Sequence, residues 1–283
     1  APTKTNGKED KLKDEQEFES NPSAVKMFEL QAQTLRMEIL FQLNRREEAE
    51  QQLCSLLDLF PDHWDGYSKL IDSTLVRSAA TSDVAEAAAP VVALRALILE
   101  RRERDPLLRA SWLAEMILLQ RWYCQAAAAG ASDADALPAG WTTSSAPADF
   151  TLPGEEEAPA SIYLLEASRL LAGYVEKFGT KACCFSDLKP VLEGVHTCGV
   201  AAVSCLSAFR SWCLARAAAT QQTLEDACAT DKVREATTTE ALPHREKYMK
   251  LICGICKTHQ LAVFCEALLR DLGVDIESDM ARY

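Results

Sequence analysis

Apolar residues recur along this chain every three or four positions, and most interruptions of that rhythm fall at residues that start or stop helices. Residues 1–22 have no such period and are polar, so they are expected to be a disordered lead or linker. From Val25 the period begins, with Met27, Leu30, Thr34 and Met37 leading into Leu40, Phe41 and Leu43. Asn44 and Arg45 break it. A second helix follows from Glu47 to Phe60, with Ala49, Leu53, Leu56 and Leu57 on its apolar stripe, and Pro61 closes it. Asp62 is placed to cap the next helix, in which Trp64, Tyr67, Leu70 and Ile71 share a face.

On the 34-residue tetratricopeptide template, Pro61 takes the closing-proline place, and Ala49 and Leu53 take the small and large places of the second helix. Beyond Arg77 the pattern loosens. Ser82 and Asp83 are candidate caps, Pro90 is expected to open a helix reaching about Arg104, and Asp105-Pro106 to open the next. That next helix carries the stripe Leu108, Trp112, Met116, Leu119 and Tyr123, and Gly130 ends it. Residues 130–160 hold Gly, Ser, Asp, Ala and Pro without period and read as a flexible loop. Helices are expected again over 163–178, 200–216, 220–236, 244–256 and 259–272. The sum is an all-α, helical-hairpin array, tetratricopeptide-like over 23–129 and continuing over 161–283, with no segment that reads as a sheet.

The stretch from Tyr163 to Leu192 is the sharpest local structure. Tyr163, Ala167, Leu170, Leu171, Tyr174 and Phe178 line one helical face, and Gly179 is expected to stop the helix in the left-handed region. Ser186 is the expected N-cap of the following helix, with Asp187 in its first turn and Pro190 close to its start. Phe185 is expected to be buried between the two helices with Cys183 and Cys184 behind it, and Asp187 and Lys189 to face solvent or a partner.

Composition narrows the class. Of 283 residues, 48% are hydrophobic and 25% charged, the balance of an ordinary soluble chain. The net charge of −12 argues against a broad nucleic-acid surface. Eleven cysteines is an odd number, and Cys54, Cys205, Cys213 and Cys265 sit inside apolar helical runs. This implies reduced thiols in a reducing compartment, hence a cytoplasmic protein with no membrane association. No signal segment and no run of eighteen apolar residues is present.

Tyr174, Phe178, Gly179, Lys181, Cys183, Cys184, Phe185, Asp187, Leu188 and Lys189 together resemble a signature of the non-catalytic auxiliary subunit of the NatB N-terminal acetyltransferase. The run LLRASWLAEMIL from Leu107 to Leu118 resembles the helix that precedes the signature in that family, and the likeness covers roughly Leu35 to Leu192. Thr180 and Ala182 stand where the family has Asp and Pro. The resemblance implies a scaffold that wraps a small catalytic subunit and helps place it at the ribosome. The complex it implies acetylates N-termini beginning Met-Asp, Met-Glu, Met-Asn or Met-Gln. Members of the family are much longer than this chain, so the resemblance implies a piece of a larger superhelix. Acetyl-CoA would belong to the partner, and this chain would need no cofactor.

Candidate chemistry of its own is sparse. No two glycines are separated by a single residue, so no dinucleotide loop exists, and the glycine loop that holds acetyl-CoA in acetyltransferases is absent too. Gly194 and Gly199 have P-loop spacing, but Val200 and Ala201 stand where Lys and Ser/Thr are needed. Cys253, Cys256 and His259 offer half a zinc site, set in a helical run better read as buried thiols. Cys183 and Cys184 are either a corner packing or a thiol activated by Lys181 and Lys189. Arg101, Arg102, Arg104 and Arg109, and also Arg245, Lys247 and Lys250, read as solvated helix faces amid interleaved acids. Two rivals remain: a general tetratricopeptide adaptor or co-chaperone, lacking here a repeated carboxylate clamp, and a cysteine-dependent hydrolase, which needs a Cys–His pair in space.

Overall fold

The computed structural model of the protein describes residues 22–81, 84–128, 162–235 and 242–276. Among them are nine α-helices, one 3-10 turn and no strand, so the all-α hairpin array is the fold. The polar lead and the 130–160 loop lie outside the described residues, except that Pro22 opens the first helix; the caps at Ser82 and Asp83 also lie outside. The chain divides into two compact units, residues 1–73 and 74–283.

The first unit holds α1 (Pro22–Gln42), α2 (Arg46–Leu59) and the beginning of α3 (Trp64–Ala79). Asn44 takes a left-handed φ of 58°, which its short polar side chain tolerates, and Arg45 N–H returns to Leu40 O at 2.9 Å to close α1. The core consists of Met37, Ala49, Leu53, Leu56, Leu57, Tyr67, Leu70 and Ile71, the stripes that the period predicts. The cap of α3 comes from the neighbour of the expected residue: Gly66 N–H donates to His63 Nδ1 at 3.1 Å. A Cβ at Gly66 would lie 3.1 Å from Leu57 Cδ2, so any larger residue there would press on the α2 leucines.

The second unit contains the end of α3 and then α4 (Val84–Arg104), α5 (Arg109–Ala128), α6 (Ile162–Phe178), α7 (Cys184–His196), the 3-10 turn Gly199–Ala201, α8 (Ala202–Glu235) and α9 (Leu242–Asp271). Helix α4 packs on α5, α5 on α6 and α7, α6 on α8, and both α7 and α8 on α9. Two prolines expected at helix starts lie inside helices instead, Pro90 in α4 and Pro190 in α7. Each removes one ladder donor, which tertiary packing outweighs. Near Pro90 the buried Ser78 hydroxyl donates to Ala87 O. The pairs of helices expected on either side of residues 217–219 and 257–258 are single long helices, because neither junction carries a residue that stops one. Asp105 Oδ1 accepts Leu107 N–H at 2.9 Å in a turn, and α5 starts only at Arg109.

Helices α4 and α5 are joined by buried charge as well as by Val91, Leu94, Ile98, Trp112 and Leu119. Glu115 is fully buried; Arg95 Nε reaches its Oε1 at 2.8 Å and an Arg102 Nη reaches its Oε2 at 2.6 Å. Arg102 also lies 4.2 Å over the Trp112 ring and donates to Ser111 O at 2.9 Å. The expected solvated arginine face is therefore corrected. Arg104 is exposed beside Glu100, whereas Arg101 is buried and Arg102 is drawn inward because α5 supplies it with a carboxylate and an indole. Removing one partner of such a buried set leaves uncompensated charge. Glu115→Ala is therefore expected to cost about 3–5 kcal/mol, read as a shift in the urea midpoint. A loss under about 1 kcal/mol would mean that Arg95 and Arg102 reach water or other acceptors instead.

Candidate functional site

The first turns of α5 and α7 and the last turns of α6 converge on a single carboxylate. Tyr174 from α6 donates its hydroxyl to Asp187 Oδ2 at 2.6 Å, and Arg109 from α5 donates to the same oxygen at 3.1 Å. Arg109 also contacts the Cys183 sulfur. The Tyr174 ring packs on Phe178, with centroids 4.7 Å apart. Tyr174, Phe178, Gly179, Cys184 and Leu188 are buried, Cys183 is half-buried, and Lys181 and Lys189 are exposed.

Three expectations for this joint are corrected. Asp187 does not face solvent: its side chain is 19% exposed, because Tyr174 and Arg109 hold it against α5 and α6. Phe185 is only half-buried and turns to α9, where it meets the Phe264 ring edge-on at 5.7 Å. Its place between the two helices is taken by Cys184, Leu188, Tyr174 and Phe178. Gly179 does not have a positive φ; its N–H bonds to Val175 O at 2.7 Å, and a Cβ would sit 2.4 Å from that oxygen. Glycine is thus required there by close approach. Helix α7 begins at Cys184 without a side-chain cap, and Ser186 Oγ donates to Cys183 O at 2.8 Å.

The activated-thiol alternative loses its physical basis. The cation beside Cys183 is Arg109, not either lysine, and burial and the Asp187 carboxylate outweigh it to push the thiol up. Burial, and then Asp187, push Cys184 up to about 12, and burial does the same to Cys265. Tyr174 is raised well beyond the ordinary phenol range by burial first and Asp187 second. These groups are held in their protonated forms, the opposite of nucleophile activation.

Cys253, Cys256 and His259 are exposed along α9 rather than buried, and among the described residues no three His, Cys, Asp or Glu side chains are grouped as metal ligands. Over Glu246–Asp271, α9 is the one described helix long and apolar enough to cross a membrane, with a mean hydropathy of 1.3 in a window only 22% buried. Leu261, Ala262, Cys265 and Leu269 face the array, and Glu266 meets Arg210 of α8 at 3.3 Å. Met249, Ile252 and Val263 are left open. An open cleft of about 590 Å³ lies between the end of α6 and the α8–α9 pair, with Arg216, Lys247 and Lys250 facing Glu176 and Glu246.

Residues 64–249 match the family described as N-acetyltransferase B complex (NatB) non-catalytic subunit. The chain belongs to this family. No curated protein and no solved structure compared with it matches. The matched span runs from α3 into α9, starting later and ending later than the likeness expected from sequence, and it contains the whole joint. The two stretches that carry the resemblance touch one another: Arg109, in the 107–118 run, grips Asp187 of the signature. Sequence reasoning assigned Arg109 to a surface cluster, and the only local signal of its role is its place inside that family-like run.

Asp187→Ala leaves the Tyr174 hydroxyl and the half-buried Arg109 without their shared acceptor, so it should cost about 2–3 kcal/mol. Phe185→Ala removes one half-buried edge contact and should cost about 1–2 kcal/mol. Urea denaturation of both variants checks the order; a larger loss for Phe185→Ala would return the joint to apolar packing. The raised thiols set a pH dependence. Because folded Cys184 and Cys265 titrate above unfolded thiols, their contribution is full below about pH 8.5 and is lost as pH rises towards 12. Stability should therefore fall over that window, and the fall should be shallower in a Cys184→Ala, Cys265→Ala protein; parallel profiles would refute the assignment.

Proposed function

We propose that this chain acts as the non-catalytic scaffold of NatB: it binds the catalytic subunit and aids co-translational acetylation of N-termini beginning Met-Asp, Met-Glu, Met-Asn or Met-Gln. The family match over residues 64–249 carries this reading. The sequence supports the division of labour. Without a glycine loop for the pyrophosphate of acetyl-CoA, the cofactor and the transfer chemistry belong to the partner, and the chain carries neither cofactor nor metal. Its place is the cytoplasm, beside the ribosome, away from membranes and without a broad nucleic-acid surface.

Hairpin arrays bind polypeptides across the faces their helices leave uncovered. The open side of α9, with Met249, Ile252 and Val263, is such a face, and a partner that buries it removes apolar surface from water. Tagged full-length protein should co-purify with the catalytic subunit. It should show no acetyl transfer to a Met-Asp or Met-Glu peptide alone and support transfer once the partner is added. Ile252→Glu with Val263→Glu should weaken co-purification at least about tenfold, a loss of roughly 1.4 kcal/mol, without lowering the melting temperature. Acetyl transfer by the isolated chain, or no co-purification of the wild-type protein, would overturn the reading. Undiminished co-purification of the double variant would exclude α9 as the docking face.

A further inference from the structure

Among the described residues no cysteine is in a disulfide, and the thiols differ sharply in setting. Cys184, Cys205, Cys213 and Cys265 are buried, out of reach of any oxidant, while Cys253 and Cys256 are exposed along one helix. Cys124 and Cys198 are different. They are half-buried, come from positions 74 residues apart, and bring their sulfur atoms to 3.6 Å. Cys124 lies in the last turns of α5, and Cys198 lies in the turn between α7 and the 3-10 segment.

The pairing is imposed by the packing of α5 on α7. One turn earlier on each side, Gly194 faces Gln120 so closely that a Cβ at 194 would fall 2.4 Å from Gln120 Oε1. Gln120 meets Gly194, and four residues later Cys124 meets Cys198, so the two segments advance side by side in one register. A disulfide needs its sulfurs at about 2.0 Å, which side-chain rotation and a small backbone shift can supply. Gly199 follows directly at a φ of +67° with open space around its Cα, so the turn has room to adjust.

We propose that Cys124 and Cys198 form a covalent modification site, closing to an intramolecular disulfide when a small-molecule disulfide such as oxidised glutathione reaches them. The thiolate of one cysteine attacks the glutathione disulfide, forming a mixed disulfide and releasing one glutathione thiolate. The second cysteine, as thiolate, attacks the protein sulfur of the mixed disulfide and releases the second glutathione. The two protein thiol protons pass to solvent and the released thiolates take up two protons. The protein loses two electrons and the glutathione disulfide gains them. Burial and the neighbouring Cys124 push Cys198 up to about 12, so closure quickens as pH rises. The bond ties the end of α5 to the α7–α8 turn and so fastens the helices on either side of the Asp187 joint.

The test uses the full chain and oxidised glutathione as the probe. After incubation at pH 8, free thiols are alkylated under denaturing conditions and the digest is analysed by mass spectrometry without reduction. A linked Cys124–Cys198 peptide pair, two hydrogens lighter than its free components, should form at least tenfold faster than any other link. The urea midpoint should rise with it and fall back on reduction. Cys124→Ser and Cys198→Ser should each abolish both changes. The proposal is overturned if wild-type protein yields only mixed disulfides, if Cys253 or Cys256 is linked first, or if either variant keeps the midpoint shift.

Discussion

The second unit depends on one carboxylate serving two donors. Asp187 stands in the first turn of α7, where its charge also suits the helix dipole, yet its more consequential role is to accept from Tyr174 and Arg109 together. Those donors belong to α6 and α5, so three helices are fixed at a single oxygen. The apolar contacts around it, Phe178, Leu188 and Cys184, are non-directional and would tolerate rotation of α7 about its axis. A charge-assisted bond at 2.6 Å would not. The joint is therefore apolar in bulk and polar in what sets its angle.

That division explains what could be read from sequence. Stripes such as Ala49, Leu53, Leu56 and Leu57 are one-dimensional patterns, and they are buried as the period requires. Asn44 likewise ends α1 with chemistry local to its own turn. Contacts spanning 78 residues, as between Arg109 and Asp187, leave no such trace. Glu115 shows the same limit: nothing within its own helix marks it as buried, and its partners Arg95 and Arg102 come from α4. Proline misled for a related reason. Its rule is local and costs one hydrogen bond, so Pro90 and Pro190 are tolerated inside helices that bury one apolar face.

Membership in a non-catalytic family agrees with where this structure spends its ionisable groups. Arg95, Arg102, Arg109, Glu115 and Asp187 are all committed to holding helices together. Charged side chains that remain open, such as Lys247, Lys250 and Glu246 at the cleft, lie on a solvent-facing rim, where Lys250 pairs with Glu246 at 2.7 Å. The half-covered α9 belongs to the same logic. It is apolar on two sides: one packs on α7 and α8, and the other, with Met249, Ile252 and Val263, is open.

The cysteines carry the argument one step further. Sequence alone reads most of them as small apolar fillers in helical runs and cannot tell which lie at the surface. Within the array, depth sorts them. Cys184, Cys205, Cys213 and Cys265 are sealed and held protonated, so they behave as fillers at neutral pH. Where two helices end together near the surface, the same residue type acquires a neighbour and an approach route, as at Cys124 and Cys198. A thiol's setting here follows from the face it occupies: Cys184, Cys205, Cys213 and Cys265 point into the array, Cys253 and Cys256 lie on the open side of α9, and Cys124 and Cys198 meet where α5 and α7 end.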